Sequence, residues 1–337
     1  MQNFDEERFI RIESGAVSLA AGIDAAVGAC LEKDAKNLFF LGTGGAAILM
    51  QPAAWLLGRR SGFPVFSEVC AELVVTGHRH LGPGSIAVLP SLSGTTRESL
   101  AALAYCKERG ATTIGLTAHA DSPLGKQADH ALVNFAEDDT SSESFYLQSL
   151  LLVLSLMHRR GEYDDYAGTL RQLETLPHLF LELKRSVDAW AEAFAVTIEA
   201  EPYHIITGAG PVWPEAFYYG MCILEEMQWI RTRPVHASDF FHGTLELVEK
   251  GVSVFVLKGE DETRPLADRV ESFARRYTEK VSVFDTKAYA LPGISDPVRA
   301  LVAPAVLATV FERVSAHLEV RRNHPLTTRR YYKRVDY

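Results

Sequence analysis

One arrangement occurs twice along this chain: a short unbroken apolar run ending at glycine, with a helix directly after it. Asn37-Leu-Phe-Phe-Leu-Gly42 runs into Thr43-Gly-Gly45 and a helical stretch to about residue 57. Tyr203-His-Ile-Ile-Thr207 runs into Gly208-Ala-Gly210 and a helical stretch over 214–231. Apolar runs without alternation belong to strands buried on both faces, as parallel strands are when helices cover each side. Similar runs stand at 64–69, 85–90, 112–117, 130–135, 252–257 and 280–285, with helical stretches at 96–109 and 262–277 between them. Alternation at this pace predicts an α/β protein with doubly wound parallel sheets. The halves also correspond in detail. Phe40-Leu-Gly-Thr-Gly-Gly45 matches Ile206-Thr-Gly-Ala-Gly-Pro211, and Ala87-Val-Leu-Pro90 before Thr96-Arg97 matches Phe255-Val-Leu-Lys258 before Thr263-Arg264. A duplicated α/β domain follows.

The remaining segments read as helix: 5–33, 139–159 opened by the capping-box pattern Thr140-Ser-Ser-Glu143, 163–200, and 297–320. This divides the chain into a first domain over 1–165, a helical connector over 166–200, a second domain over 201–320 and a tail over 321–337. Length and a 47% hydrophobic content suit two cores of ordinary size. The formal charge is −9 with no basic run, which argues against nucleic acid as a partner. Cys30, Cys70, Cys106 and Cys222 form no CxxC pair and have no histidine at ligand spacing. Free thiols are expected, with neither a metal site nor a disulfide framework. The N-terminus lacks an apolar leader core, and apolar runs such as 146–157 are too short to cross a bilayer. A soluble, cytoplasmic protein without membrane contact is expected.

Two stretches carry chemistry. Ser91-Leu-Ser-Gly-Thr-Thr96 lies where a strand gives way to a helix, so the hydroxyls of Ser91, Ser93 and Thr96, Gly94 and free helix N–H groups can converge on an anion. Gly42, Thr43 and Gly44 would lie at a neighbouring strand end. The corresponding loop of the second half, Lys258-Gly-Glu-Asp-Glu262, holds three carboxylates and would repel a phosphate, leaving one anion site per chain. The other stretch is Met221-Cys-Ile-Leu-Glu-Glu-Met-Gln-Trp-Ile230, followed by His242-Gly243. On a continuous helix Glu226 has Cys222, Ile223, Trp229 and Ile230 as neighbours, and such company disfavours its charged form. Glu226 and His242 would make an acid/base pair if the fold joins them. Each stretch also has a plainer reading: Ser, Gly and Thr make good helix caps, a helical Glu is often solvated, and a His before Gly often ends a turn.

These residues resemble the sugar isomerase (SIS) family with two tandem domains, in particular its fructosamine-6-phosphate deglycases. The likeness rests on the Ser-x-Ser-Gly-x-Thr loop, on Met227-Gln-Trp-Ile230, on the segment His236 to Gly243, and on the tail His324-Pro-Leu-Thr-Thr-Arg-Arg-Tyr331. It implies a sugar-phosphate substrate, a 6-phosphofructosyl amino acid cleaved to glucose 6-phosphate and the free amino acid. It further implies phosphate and sugar binding by Gly42, Thr43, Gly44, Ser91, Ser93, Gly94 and Thr96, with Arg330 in the tail. Glu226 would carry the proton between C1 and C2, His242 would open the ring or move the oxygen proton, and no metal or organic cofactor would be needed. A homodimer with composite sites is implied, His242 being supplied by the neighbouring subunit. Arg330 stands where glucosamine-6-phosphate synthase has a lysine, and a guanidinium cannot form an imine. Alternatives are another sugar-phosphate isomerase, a glucosamine-6-phosphate deaminase, or a non-catalytic sugar-phosphate sensor.

Overall fold

The computed structural model describes residues 1–137, 139–332 and 334–336. The chain forms two compact units, one of residues 7–177 and one of residues 1–6 with 178–337.

In the first, α1 (Glu6–Ser18) and α2 (Ala20–Glu32) lead to β1 (Asn37–Gly42), α3 (Gly45–Ile48), α4 (Gln51–Arg60), β2 (Val65–Val69) and α5 (Cys70–Thr76). Then come β3 (Ser85–Pro90), α6 (Arg97–Glu108), β4 (Thr112–Thr117), α7 (Pro123–Gln127), β5 (His130–Val133), α8 (Ser141–Arg159) and α9 (Tyr166–Leu173). The five strands are parallel in the order β2-β1-β3-β4-β5. Phe39, Leu41, Ala87 and Leu89 pack with Cys70, Leu73, Ala102 and Leu103 of α5 and α6 on one face, which is why these strands carry no alternation. Two local readings are corrected. The helix expected over 5–33 breaks at Leu19 into α1 and α2. The capping box expected at Thr140 does not form: Thr140 Oγ1 accepts from the Glu137 N–H at 3.1 Å and lies 3.2 Å from the Glu137 carbonyl, so α8 starts without a side-chain cap. A threonine hydroxyl can serve a preceding turn as well as a helix end.

In the other unit, α10 (Leu176–Ala200) precedes β6 (Tyr203–Gly208), α11 (Trp213–Tyr218), a π-helical turn (Tyr219–Glu225) and β7 (Arg231–His236). Two short 3-10 turns, Phe240–His242 and Thr244–Leu247, lead to β8 (Ser253–Lys258), α12 (Arg264–Ala274), β9 (Val281–Asp285) and α13 (Asp296–Arg321). The strands are again parallel, in the order β7-β6-β8-β9. The chain therefore holds two doubly wound parallel sheets, as the duplicated pattern predicts. The helix expected over 214–231 is corrected: it ends at Glu225, and its last expected residue opens β7. Arg-Thr-Arg-Pro-Val-His lacks strand character because β7 pairs only with β6, an edge place where Pro234 and charged residues are tolerated.

By length and composition the stretch Glu6–Glu32 and α13 could cross a bilayer, contrary to the expectation that no stretch could; 39% of the apolar window is buried in the first, and in α13 89% is buried inside the protein. Its inner face also carries charge. Fully buried Arg313 reaches Asp188 of α10 at 2.7 and 2.9 Å, His317 reaches the same carboxylate at 3.0 Å, and buried Lys184 pairs with Glu312 at 2.7 Å. These pairs fix α13 against α10 and so set where the tail begins.

Candidate active site

The loop after β3 begins within the first sheet's topological switch point, between β1 and β3, where ligands of open α/β sheets collect. Ser91 Oγ lies 3.1 Å from Thr96 Oγ1, and Ser93 Oγ accepts from the Thr95 hydroxyl at 2.9 Å. Because Thr96 turns its hydroxyl to Ser91, the first N–H groups of the twelve-residue α6 have no side-chain cap. Gly94 is at φ +63°, and a Cβ there would stand 2.0 Å from Ser122 Oγ and 2.8 Å from Thr117 Oγ1. The loop thus closes onto β4 and the following turn through a residue that only glycine can fill. Gly42 ends β1, where a Cβ would meet the Ala47 backbone at 2.7 Å, and Gly44 turns the chain into α3 at φ +56°. Thr43 Oγ1 between them is buried and makes no hydrogen bond among the described residues, with the Cys70 thiol in its company. Ser91, Ser93, Gly94 and Thr96 thus form one cup, and Gly42, Thr43 and Gly44 the end of the adjacent strand. Arg97, an exposed cation at the first position of α6 with no partner among the described residues, stands beside this cup and was not singled out by sequence reasoning.

In the second unit the acidic loop after β8 is mostly engaged by neighbouring groups, with Asp261 Oδ2 buried and without a hydrogen bond among the described residues. Glu260 pairs with Arg299 at 2.7 Å, Asp261 Oδ1 accepts from the Thr263 N–H at 2.8 Å, and Lys258 turns to Asp268 and Glu271. The switch point of this sheet offers no cationic cup.

Glu226 lies at the other end of the sheet, in the turn that enters β7. The π-helical turn before it is widened by one residue: Glu226 N–H donates to Met221 O at 3.1 Å and Gln228 N–H to Ile223 O at 3.1 Å. Such widened turns recur at functional sites. The turn closes with Trp229 N–H on Glu225 O and Ile230 N–H on Leu224 O, while Trp229 itself sits at φ +55°. A bulky aromatic at positive φ is a strained residue that its surroundings must hold. Here the His324 ring meets the Trp229 ring edge-on at 4.5 Å, and the Arg330 guanidinium stacks over it at 4.1 Å. The expected apolar helical surroundings of Glu226 are therefore corrected: Trp229 and Ile230 are not one helical turn beyond it. The Glu226 side chain is 32% exposed, and Arg329 Nε lies 2.8 Å from its Oε1. A guanidinium at this distance favours the ionised carboxylate, the form that accepts a proton. Burial pushes the Cys222 thiol up, and the nearby carboxylates of Glu226, Glu215 and Glu225 add to that rise.

Arg329 comes from the tail, which folds onto its own chain. Gln228 Nε2 donates to His324 O at 2.8 Å, Arg322 Nη2 to Gln228 O at 3.2 Å, and Arg329 Nη1 to the carbonyls of Leu326 at 2.6 Å and Thr328 at 3.0 Å. Tail, wide turn and the start of β7 line an open cavity of about 780 Å³ with Glu226, Trp229, Arg231 and Arg330 on its wall. The sequence places Arg329 in a tail segment similar to that of the deglycases, and the structure makes it the partner of Glu226. Lys333 and Tyr337 of that tail lie outside the described residues.

His242 ends the 3-10 turn that follows β7, and its ring is exposed with no hydrogen bond, ion pair or ring contact among the described residues. Glu226 precedes β7 and His242 follows it, so about 16 Å of strand, at ~3.3 Å per residue, separates the two along the chain. One chain does not bring this pair together. His236 is half-buried, accepts from the Ser238 N–H at 3.2 Å and meets Trp213 edge-on, and burial lowers its proton affinity. Arg233 Nε donates to Thr244 Oγ1 at 3.1 Å.

Residues 33–158 match the SIS domain. The chain is similar to fructosamine deglycase FrlB of Bacillus subtilis (strain 168), with 32% identity over 311 residues, 90% of this chain and 94% of that protein. It is 26% identical to fructoselysine 6-phosphate deglycase of Escherichia coli O157:H7, over 90% of this chain and 87% of the relative. A crystal structure from Bacillus subtilis, described as that of a candidate phosphosugar isomerase, superposes with a TM-score of 0.87 at 29% identity, covering 95% of this chain and 99% of the other. With a Ser/Thr cup at one switch point, a second parallel sheet of the same kind, and this identity sustained along nearly its whole length, the chain belongs to the fructosamine deglycase family of SIS-domain proteins.

Proposed function

We propose that the protein cleaves a 6-phosphofructosyl amino acid to glucose 6-phosphate and the free amino acid. The observation that carries this reading is the Arg329-paired carboxylate of Glu226 on the wall of an open cavity, in a chain 32% identical to a fructosamine deglycase. In the open ketoamine, Glu226 takes the C1 proton while the C2 carbonyl oxygen gains a proton from an acid, giving the 1,2-enaminol. Glu226 returns its proton to C2, the nitrogen lone pair forms the C1=N bond, and the aldose imine results. Water adds at C1, and the C1–N bond breaks with the nitrogen leaving as the amine. The C2 carbonyl takes up the electron pair of the broken C1–H bond, the substrate nitrogen then supplies its lone pair, and Arg330, always protonated, forms no imine. The Ser91, Ser93 and Thr96 cup with the uncapped start of α6 is assigned to the phosphate.

His242 is assigned as the acid at O2, supplied by a second copy of the chain. Its place beyond β7, opposite the Glu226 end, supports this sharing. Release of glucose 6-phosphate from 6-phosphofructosyl amino acids, followed by a coupled dehydrogenase, tests the activity, and Glu226→Gln should abolish it. Mixing inactive Glu226→Gln and His242→Ala chains tests the sharing. Randomly mixed dimers should recover about a quarter of the wild-type sites. A mixture as inactive as its parents would refute a site built from two copies.

A further inference from the structure

We propose that the cavity beside Glu226 is the subsite for the departing amino acid, with Arg231 holding its α-carboxylate. This rests on the deglycase reading and extends it to the substrate's other half. Glu226 works at C1, the nitrogen is bonded to C1, and the α-carboxylate sits one carbon beyond the nitrogen. Groups sharing the cavity wall with Glu226 therefore face that part of the substrate.

The charge of this wall is unusual for the chain. The protein carries −9 overall, yet three arginines meet two glutamates here. Both glutamates are engaged, Glu226 by Arg329 at 2.8 Å and Glu225 by the Thr232 hydroxyl at 2.6 Å. Arg231 has no hydrogen bond, ion pair or ring contact among the described residues, and Arg330 rests only on the Trp229 face, without a carboxylate. Two guanidiniums thus lack a counter-anion beside the proposed base. Arg231 is the first residue of β7, fixed by the pairing of β7 with Tyr203 of β6, so its position is set by the sheet. A planar guanidinium there matches a carboxylate fork to fork.

The cavity also limits what else is selected. About 780 Å³ is more than an α-carboxylate and a small side chain fill, and the Trp229 ring gives an apolar floor. The subsite therefore meets the α-carboxylate through Arg231 and leaves room for the amino-acid side chain.

The test compares 6-phosphofructosyl-glycine with 6-phosphofructosyl-ethanolamine, which replaces the carboxylate by a hydroxymethyl group and keeps sugar and phosphate. Wild-type kcat/KM should favour the glycine adduct by on the order of 10- to 100-fold, as loss of a charge-assisted contact predicts. Arg231→Gln should cut this ratio to within about threefold, and Arg231→Lys should keep part of it. Because both rates come from the same protein sample, a folding defect cancels in the ratio. A wild-type ratio near one, or an unchanged ratio in Arg231→Gln, overturns the subsite; the second result is also what a phosphate-binding Arg231 would give. Wild-type failure to turn over either compound, or any other 6-phosphofructosyl amino acid, refutes the deglycase reading, and the subsite falls with it.

Discussion

Replacing Arg329 by Gln, Glu226 by Gln, and both together isolates the contact on which the proposed proton carrier depends. The pair spans 2.8 Å, with Arg329 10% and Glu226 32% exposed. Exposed ion pairs couple by about 0.2–1 kcal/mol, and hydrogen bonds to charged groups contribute about 1.5–3 kcal/mol. With one partner a third open to water, the coupling expected is about 1 kcal/mol. Arg329→Gln alone should cost more, about 2 kcal/mol, because it also frees the carbonyls of Leu326 and Thr328 that the guanidinium holds. Thermal denaturation followed by circular dichroism would read this as a Tm lowered by about 4–8 °C. In turnover, Glu226→Gln should be inactive, and Arg329→Gln should lose about 10- to 100-fold in kcat through misplacement of the carboxylate. Arg329→Lys should regain part of that loss, since it restores charge without the fork. A coupling within about 0.3 kcal/mol of zero, with Arg329→Gln at wild-type kcat, would refute the claim that the tail holds Glu226 in place.

Three further outcomes follow from other parts of the molecule. His204 is buried in β6, and burial depresses its pKa from 6.5 to about 4, against smaller opposing effects of the Ile198 carbonyl and Glu201. The unfolded chain binds the proton first, so this contribution is intact above pH 6.5 and is lost as pH falls toward 4. It amounts to on the order of 3 kcal/mol, and denaturant titrations should show it vanish from the wild-type minus His204→Gln difference. Asp188→Ala leaves Arg313 and His317 without their shared acceptor and should cost about 3 kcal/mol; a Tm within ~2 °C of wild type would contradict the buried pair. Gly94→Ala forces a Cβ into Ser122 Oγ, so KM should rise at least about tenfold; an unchanged KM would remove this loop from substrate binding.

Every strand but β7 was legible in the sequence, the central ones most plainly because they are buried on both faces. β3 and β4 occupy the expected residues because each is a short, almost wholly buried run between two helices, and the cup at Ser91–Thr96 follows from where β3 ends. β7 was hidden because an edge strand can hold Pro234 and two arginines. Glu226 was legible as a candidate through its own string of residues, but its surroundings were not. Helical spacing assumes a uniform turn, and the widened turn with Trp229 at positive φ breaks that assumption. The Arg329 contact is a tertiary one between segments far apart in sequence, which no local periodicity encodes. His242 keeps its expected place on a turn next to glycine, and only the strand order shows that it lies beyond the opposite end of β7 from Glu226.

The wide turn over Tyr219–Glu225 works like a gear carrying one extra tooth. Each helical residue advances a side chain by about 100° around the axis, so removing one residue here would swing everything downstream by that amount. Leu224 and Tyr219 could still find the core, and the sheet could still close. The carboxylate at 226, however, would point away from the cavity and from the guanidinium that meets it. A single-codon deletion in this turn would therefore leave the sheet in place and part Glu226 from Arg329.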